Sequence, residues 1–436
     1  MKRLSKFRRG FIATFVMDVI ARGMSALTLI VLLRSLSVGD FAFIVLLLYA
    51  GQFLGSAVTG GIRLRYMRLE AERVSRGHEK PSTFHATLLN GTALILAAAI
   101  LGLVGATVLN VGNATDRLIF LGLGTGYTLA NATIEMTIFH YQAQLAFLKA
   151  GAIQASRNAV QLVLALGAPI GLYESGAEVG LVLTIGVSCV ALIVAVPLAL
   201  STRGSKEDRV GYRKETAALT LYSLVSASWA YRDLFLVAAL LNDEAVAAYG
   251  AALRYVSIIM GPVPALVSVL RVRTAQQDII DSNEAQIEMM VRWAKQSALP
   301  TFAILSVAAI AAIWAIPILD GGRYPQSVPI FQILLPMSFA QFITLPNSTL
   351  LITQQRYTTL AWVNAAALAL NVVLAVIAAE LVGVLGIAAV GALVCTAQVT
   401  TVTYLAAHPP QAATAEPSAK ASPEAMRVSS AREPNA

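Results

Sequence analysis

Charge is scarce in this chain, and the scarcity decides its class. Only 13% of the 436 residues are Asp, Glu, Lys or Arg, while 57% are hydrophobic; an ordinary soluble domain carries about 25% charged residues. Cysteine is nearly missing too. Cys189 and Cys395 both fall within apolar runs, where lone cysteines serve as small packing residues, and a disulfide between them is not expected. The four histidines (His78, His85, His140, His408) are scattered, with no metal-ligand spacing. No phosphate-cradling Walker motif occurs, so ATP hydrolysis is not expected, and no cofactor is implied. Between residues 11 and 406 no polar stretch is long enough for a soluble domain, which excludes catalysis in a separate domain.

Long apolar runs fill that space. A bilayer core takes about 20 apolar residues per helix, and twelve such runs are read at 11–33, 41–62, 86–110, 118–139, 150–172, 179–200, 217–241, 245–270, 298–318, 327–352, 359–381 and 383–406. The first is too long for a signal-peptide core and carries Asp18 and Arg22, so it reads as an uncleaved helix. The net charge of +8 does not point to nucleic acid, because of where the cations sit. With alternate loops on opposite sides, the side of the amino terminus holds 25 of the 32 Lys and Arg residues. The other side holds only Arg34, Arg117 and Arg323. The asymmetry predicts both termini in the cytoplasm, with the basic loops against anionic membrane lipid.

The chain also repeats itself. Tyr49, Arg65, Gly180 and Cys189 recur as Tyr255, Arg271, Gly386 and Cys395, always 206 positions later. The expected layout is a six-helix bundle over 1–200, a polar cytoplasmic linker over 201–216 and a second six-helix bundle over 217–406. An Ala-, Pro- and Ser-rich disordered tail follows over 407–436. Six is even, so the repeat is parallel, with its axis along the membrane normal. Two like halves in a bilayer are the build of many secondary transporters.

Charges inside spans mark pathways or locks, because each costs about 2.5–3.5 kcal/mol at mid-bilayer. Asp18 and Arg22 share one face of helix 1, and Arg22 sits roughly 16 Å from the cytoplasmic end. The pair could present a cation to an anionic cargo or simply lock helix packing. Arg254 in helix 8 has no acid one turn away; a substrate phosphate or Asp233 of helix 7 could serve it. Arg232 and Asp233 point about 100° apart, so at most one can face the centre. Tyr127, Asn131 and Glu135 line helix 4, and Gln154, Arg157, Asn158 and Gln161 line helix 5, as if walling a wet cavity. Glu135 and Arg157, at like depth, could form a static salt bridge, or Glu135 could titrate and couple a cation. Asn364 and Asn371 could line the second half or act as interhelical glue. Pro262, Pro264, Pro336 and Pro346 would interrupt helices 8 and 10.

Residues 33–41, Leu-Arg-Ser-Leu-Ser-Val-Gly-Asp-Phe, resemble the start of bacterial polysaccharide (Wzx-type) flippases of the multidrug/oligosaccharidyl-lipid/polysaccharide (MOP) exporter superfamily. The usual form there is close to R-x-L-G-x-x-x-F-G, and Ser37 and Ala42 stand where glycines are usual. Tyr231-Arg232-Asp233-Leu234 with 242–254 is similar to the helix 7–8 hairpin of that family, which often has Asp-Arg in place of Arg232-Asp233. Val179-Gly180 and Leu385-Gly386 fit as well. The resemblance implies an all-α integral membrane fold of about 12 transmembrane helices, in two parallel six-helix bundles around a central V-shaped cavity. It implies a flippase and not an enzyme, placed in the bacterial inner membrane. The cargo would be an undecaprenyl-diphosphate-linked oligosaccharide, moved from inner to outer leaflet by alternating access. Polysaccharide polymerase and export machinery are candidate protein partners, and nucleic acid is not. Arg22, Arg157, Arg232 and Arg254, with Asn131 and Gln161, are the expected substrate contacts; Glu135, Asp18 and Asp233 are the expected ion-coupling groups. A multidrug antiporter of the same superfamily is the alternative, disfavoured by the arginines. A membrane polysaccharide polymerase or ligase is disfavoured by the short outer loops.

Overall fold

The computed structural model describes residues 2–75, 84–108, 114–144, 146–201, 212–260, 263, 283–354 and 356–408. Linker residues 202–211, Pro262, Pro264 and tail residues 409–436 lie outside the described residues. Those described form thirteen helices: α1 Lys2–Ser35, α2 Val38–Ser75, α3 Phe84–Val108, α4 Ala114–Ala143, α5 Phe147–Ala165, α6 Gly176–Ser201, α7 Tyr212–Leu240, α8 Asp243–Ile259, α9 Asn283–Asp320, α10 Ser327–Ile343, α11 Leu345–Thr353, α12 Tyr357–Val382 and α13 Val384–Ala407. In lipid every backbone donor and acceptor must be satisfied within the protein, which all-helical spans achieve.

By length and composition, five described helices could cross a membrane: α2, α6, α9, α12 and α13. They become six if the bent pair α10–α11 is one span. The expected twelve are thus not matched one for one by apolarity. The embedded polar residues Arg22, Glu135, Arg157, Arg232 and Asp233 lie on α1, α4, α5 and α7, where they lower hydropathy. The single helix expected at 327–352 is bent by 56° between α10 and α11. Pro346 sits in the first turn of α11, where a missing N–H costs nothing; Pro336 lies inside α10 without ending it.

The two halves use the same local devices. Ser37 and Asn242 precede α2 and α8. The Ser37 hydroxyl accepts from the Asp40 amide at 3.1 Å, and the Asn242 carbonyl oxygen accepts from the Ala245 amide at 3.0 Å, both satisfying orphan donors at a helix start. The α4–α5 and α11–α12 turns match as well. Ala146 donates to Tyr141 and Arg356 to Leu351, at 2.8 and 2.9 Å. Helix pairing repeats: α1 on α5, α2 on α4 and α4 on α6 correspond to α7 on α12, α8 on α10 and α10 on α13. The second half closes its last hairpin at Gly383, whose φ of 69° suits a residue without Cβ.

Across the seam, α2 packs on α7 and α8, and α1 on α8. The composition of α8 explains its central place. Ala245, Ala247, Ala248, Gly250, Ala251 and Ala252 are buried, and small side chains let helices approach closely where lipid provides no hydrophobic drive. By contrast α9 shows Leu299, Phe302, Val307, Ile310 and Trp314 to the outside, as a lipid-facing helix would. At the expected outer end two arginines clamp the halves reciprocally. Arg34 donates to the carbonyls of Leu319 at 2.8 Å and of Ile318. Arg323 donates to those of Leu33 and Arg34 at 3.0 and 3.1 Å.

Candidate functional site

The embedded charges divide into two groups. The first lies wholly inside the second half. Arg232 and Asp233 are both buried and pair with each other, Nε to Oδ1 at 3.3 Å. The Arg232 guanidinium stacks over Trp229 at 3.5 Å and donates to the Trp229 and Gly391 carbonyls at 2.5 and 3.1 Å. Tyr249 and Asn371 approach the Asp233 carboxylate. A Cβ on Gly391 would lie 2.6 Å from that carboxylate, so the absent side chain makes its room. At most one of the two was expected to face the centre; here they close on each other and on α13 instead. The alternative pairing of Arg254 with Asp233 is replaced by the Arg232 pair.

The second group gathers on α2, α4 and α5 and at the seam. Glu135 pairs with Arg63 of α2, in place of the expected pairing with Arg157. Asn131 bridges the difference: its amide donates to Glu135 at 3.2 Å, and its carbonyl oxygen accepts from Arg157 Nη1 at 2.5 Å. Arg157 Nε donates to Asn158 at 3.2 Å, and the Asn158 amide donates to the Ala21 carbonyl of α1 at 2.6 Å. Gln161 donates to the Tyr127 hydroxyl at 3.2 Å. The two polar stripes read from sequence on α4 and α5 thus do face each other, in a Gln161–Tyr127 pair and a separate chain from Glu135 to Asn158 that also ties in α1 and α2.

Hydropathy alone puts Arg63 in the loop after the second span. The apolar run ends at Ile62, but the helix continues to Ser75, and Arg63 is 6% exposed. Its guanidinium also lies over Phe139 at 5.5 Å. The continuation carries a second network that sequence reasoning missed. Tyr66 and His140 Nδ1 are 2.5 Å apart, and Gln144 donates to Glu70 at 3.2 Å. The one available signal is that Arg63, Tyr66 and Glu70 recur at helical spacing beyond the apolar run.

Arg254 reaches the seam from α8. Its guanidinium sits over the Tyr49 ring of α2 at 4.9 Å, its Nε is buried without a hydrogen-bond partner, and its charge is within reach of Arg157. A narrow crevice between α1 and α8 runs beside it, lined by Ala26, Leu29, Leu33, Ala251 and Tyr255 among others. Arg22 lies one turn from Ala26 on the same face of α1. Asp18 is on α1 as well, its side chain outside the description. Asn364 does act as glue, donating to Ser226 at 2.9 Å and accepting from Gln398 at 2.9 Å. Both cysteines are free. Cys395 is buried, while Cys189 is exposed and so lacks the packing role expected of it. Among the described residues no cluster of His, Cys, Asp and Glu could hold a metal ion.

In this conformation the halves are closed along α2 and α7. Tyr49 and Phe53 stack edge-on against Tyr231 at 5.9 and 6.2 Å, and Phe53 meets Phe235 at 5.4 Å. Farther along α2, Gly60 faces Ser223 and Gly61 faces the backbone of Leu219 and Thr220. Among the described side chains, Arg63, Arg157 and Arg254 bring cations to this region and Glu135 a carboxylate. Excess positive charge held in a low dielectric is costly, and an anionic guest would relieve it.

The sequence matches no protein-family model and no curated protein. Its fold does match solved structures. The lipid II flippase MurJ in an inward closed conformation aligns with a TM-score of 0.71 at 11% identity, covering 92% of this chain and 88% of that one. A MATE protein in complex with MaL6 aligns with a TM-score of 0.66 at 11% identity, over 92% and 95% of the two chains. The MATE multidrug transporter DinF-BH aligns at 0.63 and 13% identity, over 92% and 94%. Likeness at such low identity concerns architecture, and the chain has the all-helical multi-pass fold that these MATE and MurJ proteins share.

Proposed function

We propose that the chain is an alternating-access flippase that moves an undecaprenyl-diphosphate-linked oligosaccharide across the bacterial inner membrane. The observation that carries this is that arginines from both halves, Arg157 on α5 and Arg254 on α8, lie near enough for their charges to interact. A sugar hydroxyl left unpaired in hydrocarbon costs on the order of 4–8 kcal/mol on a cyclohexane scale, and a diphosphate far more. Guanidinium groups replace the lost hydration with bidentate, charge-assisted hydrogen bonds. A diphosphate diester carries two negative charges, which guanidinium groups can pair. The lipid tail would stay in the bilayer, passing between α1 and α8. Arg22, Arg157 and Arg254, with Asn131 and Gln161, are the proposed contacts. Arg232 is left out because it is buried within the second half, where both Nη1 and Nη2 already donate to carbonyls. Both termini would lie in the cytoplasm, and the driving energy would come from a cation gradient or from removal of product outside.

Replacing Arg22 or Arg254 by Ala should abolish surface polysaccharide in the native host while protein levels stay near normal. Normal export by these variants would sink the proposal. The competing reading, a multidrug antiporter, is favoured by the likeness to MATE structures. It predicts instead that the variants change drug resistance and leave surface polysaccharide untouched.

A further inference from the structure

The Arg63–Glu135 pair has no role in that account, and its geometry is unusual for a mere packing lock. Its cation is 7% exposed at the side chain, whereas its carboxylate is 30% exposed. The acid is therefore the member that other groups can reach. It also holds two arginines at once: Arg63 directly, and Arg157 through the Asn131 amide. The Arg63 Nε is buried without a hydrogen-bond partner, so a donor is left over after the pair has formed. A narrow, partly open crevice lies against Arg63 between α2, α3 and α4, lined in part by Thr59, Thr87, Thr92 and Thr133.

We propose that Glu135 is an internal counter-anion standing where an anionic headgroup will bind, and that Arg63 is an additional phosphate-binding residue released when the headgroup displaces it. The inference rests on the flippase reading and deepens it. In the closed, empty protein the Glu135 carboxylate occupies guanidinium donors that a phosphate would otherwise take. Arrival of a headgroup with two negative charges outcompetes one carboxylate and frees Glu135 toward solvent. The exchange keeps buried arginines paired throughout, which avoids the large penalty of an uncompensated charge. It also gives empty and loaded states different contacts, as any ligand-driven change of conformation requires.

The test is equilibrium binding of undecaprenyl diphosphate to the full chain in detergent, with undecaprenol as a control for the tail and inorganic pyrophosphate for the headgroup alone. Arg63→Gln should weaken undecaprenyl diphosphate about tenfold and leave undecaprenol unchanged. Arg63→Lys, which keeps the charge and guards against a folding defect, should lose less. Glu135→Gln should tighten undecaprenyl diphosphate several-fold by removing the competitor, and that gain should vanish in the Arg63→Gln/Glu135→Gln double variant. If Arg63→Gln binds like the wild type, or if Glu135→Gln weakens binding as Arg63→Gln does, the counter-anion idea is overturned and the pair is a packing lock. If the wild type itself does not prefer undecaprenyl diphosphate to undecaprenol, the flippase reading fails first, and this inference with it.

Discussion

Gly61 is the position at which the proposed motion can be tested most directly. A Cβ added there would lie 2.5 Å from the Thr220 amide nitrogen, 2.6 Å from the Leu219 carbonyl carbon and 2.8 Å from its oxygen, where ordinary contact begins at 3.4 Å. All three are backbone atoms of α7, so no rotamer change relieves the clash; α2 and α7 must separate by about 1 Å. Overpacking of this kind costs about 1–3 kcal/mol. The penalty falls only on the state in which this end of the seam is shut, so Gly61→Ala should shift the balance toward the open state by about 5- to 150-fold. The assay is the labelling rate of a single cysteine at Ser223, beside Gly60, in a chain with Cys189 and Cys395 replaced by Ala. A membrane-impermeant maleimide would be applied from the side expected to be cytoplasmic. Gly61→Ala should accelerate labelling and slow transport. Gly122→Ala, whose Cβ meets nothing within 4 Å, should do neither. An unchanged labelling rate in the Gly61 variant would refute the idea that the halves part along this line.

The opposite end yields a complementary result. The Cβ of Gly250→Ala would meet Val45 Cγ1 at 2.5 Å, a side chain and not backbone. The single variant should therefore lose transport, and Val45→Ala should restore it in the double variant. Removing the reciprocal clamp with Arg34→Ala and Arg323→Ala together should speed labelling of a cysteine placed near the 34–37 turn from outside, and an unaltered rate would reduce these arginines to loop caps. Arg232→Ala strands the buried Asp233 carboxylate, so detergent-solubilised protein should lose about 3–5 kcal/mol of stability in thermal or denaturant unfolding. A variant as stable as wild type would mean that the pair is not dry.

The sequence alone determined the class of the protein. Scarce charge and repeated apolar runs demand a membrane-embedded, helical chain, because hydrophobic burial and backbone satisfaction depend on local composition that can be read residue by residue. The 206-residue echo likewise announced a two-half build, and the polar stripes at 127–135 and 154–161 announced facing helices 4 and 5, because i, i+4 spacing fixes a shared face. Partners across helices were another matter. Nothing at Glu135 says whether Arg157 or Arg63 will take it: both lie at a suitable depth, and the choice depends on how α2 is rotated and how far it continues past Ile62. Arg63 looked like a loop cation because hydropathy stops where lipid contact stops, while a helix stops only where its hydrogen bonds do. Arg232 and Asp233 seemed to diverge when seen on one helix. Packing against Trp229 and Gly391 let the long Arg232 side chain fold back onto its neighbour. Electrostatic pairing is settled at a scale of about 4 Å, finer than any periodicity can resolve, and only the tertiary structure supplies that distance.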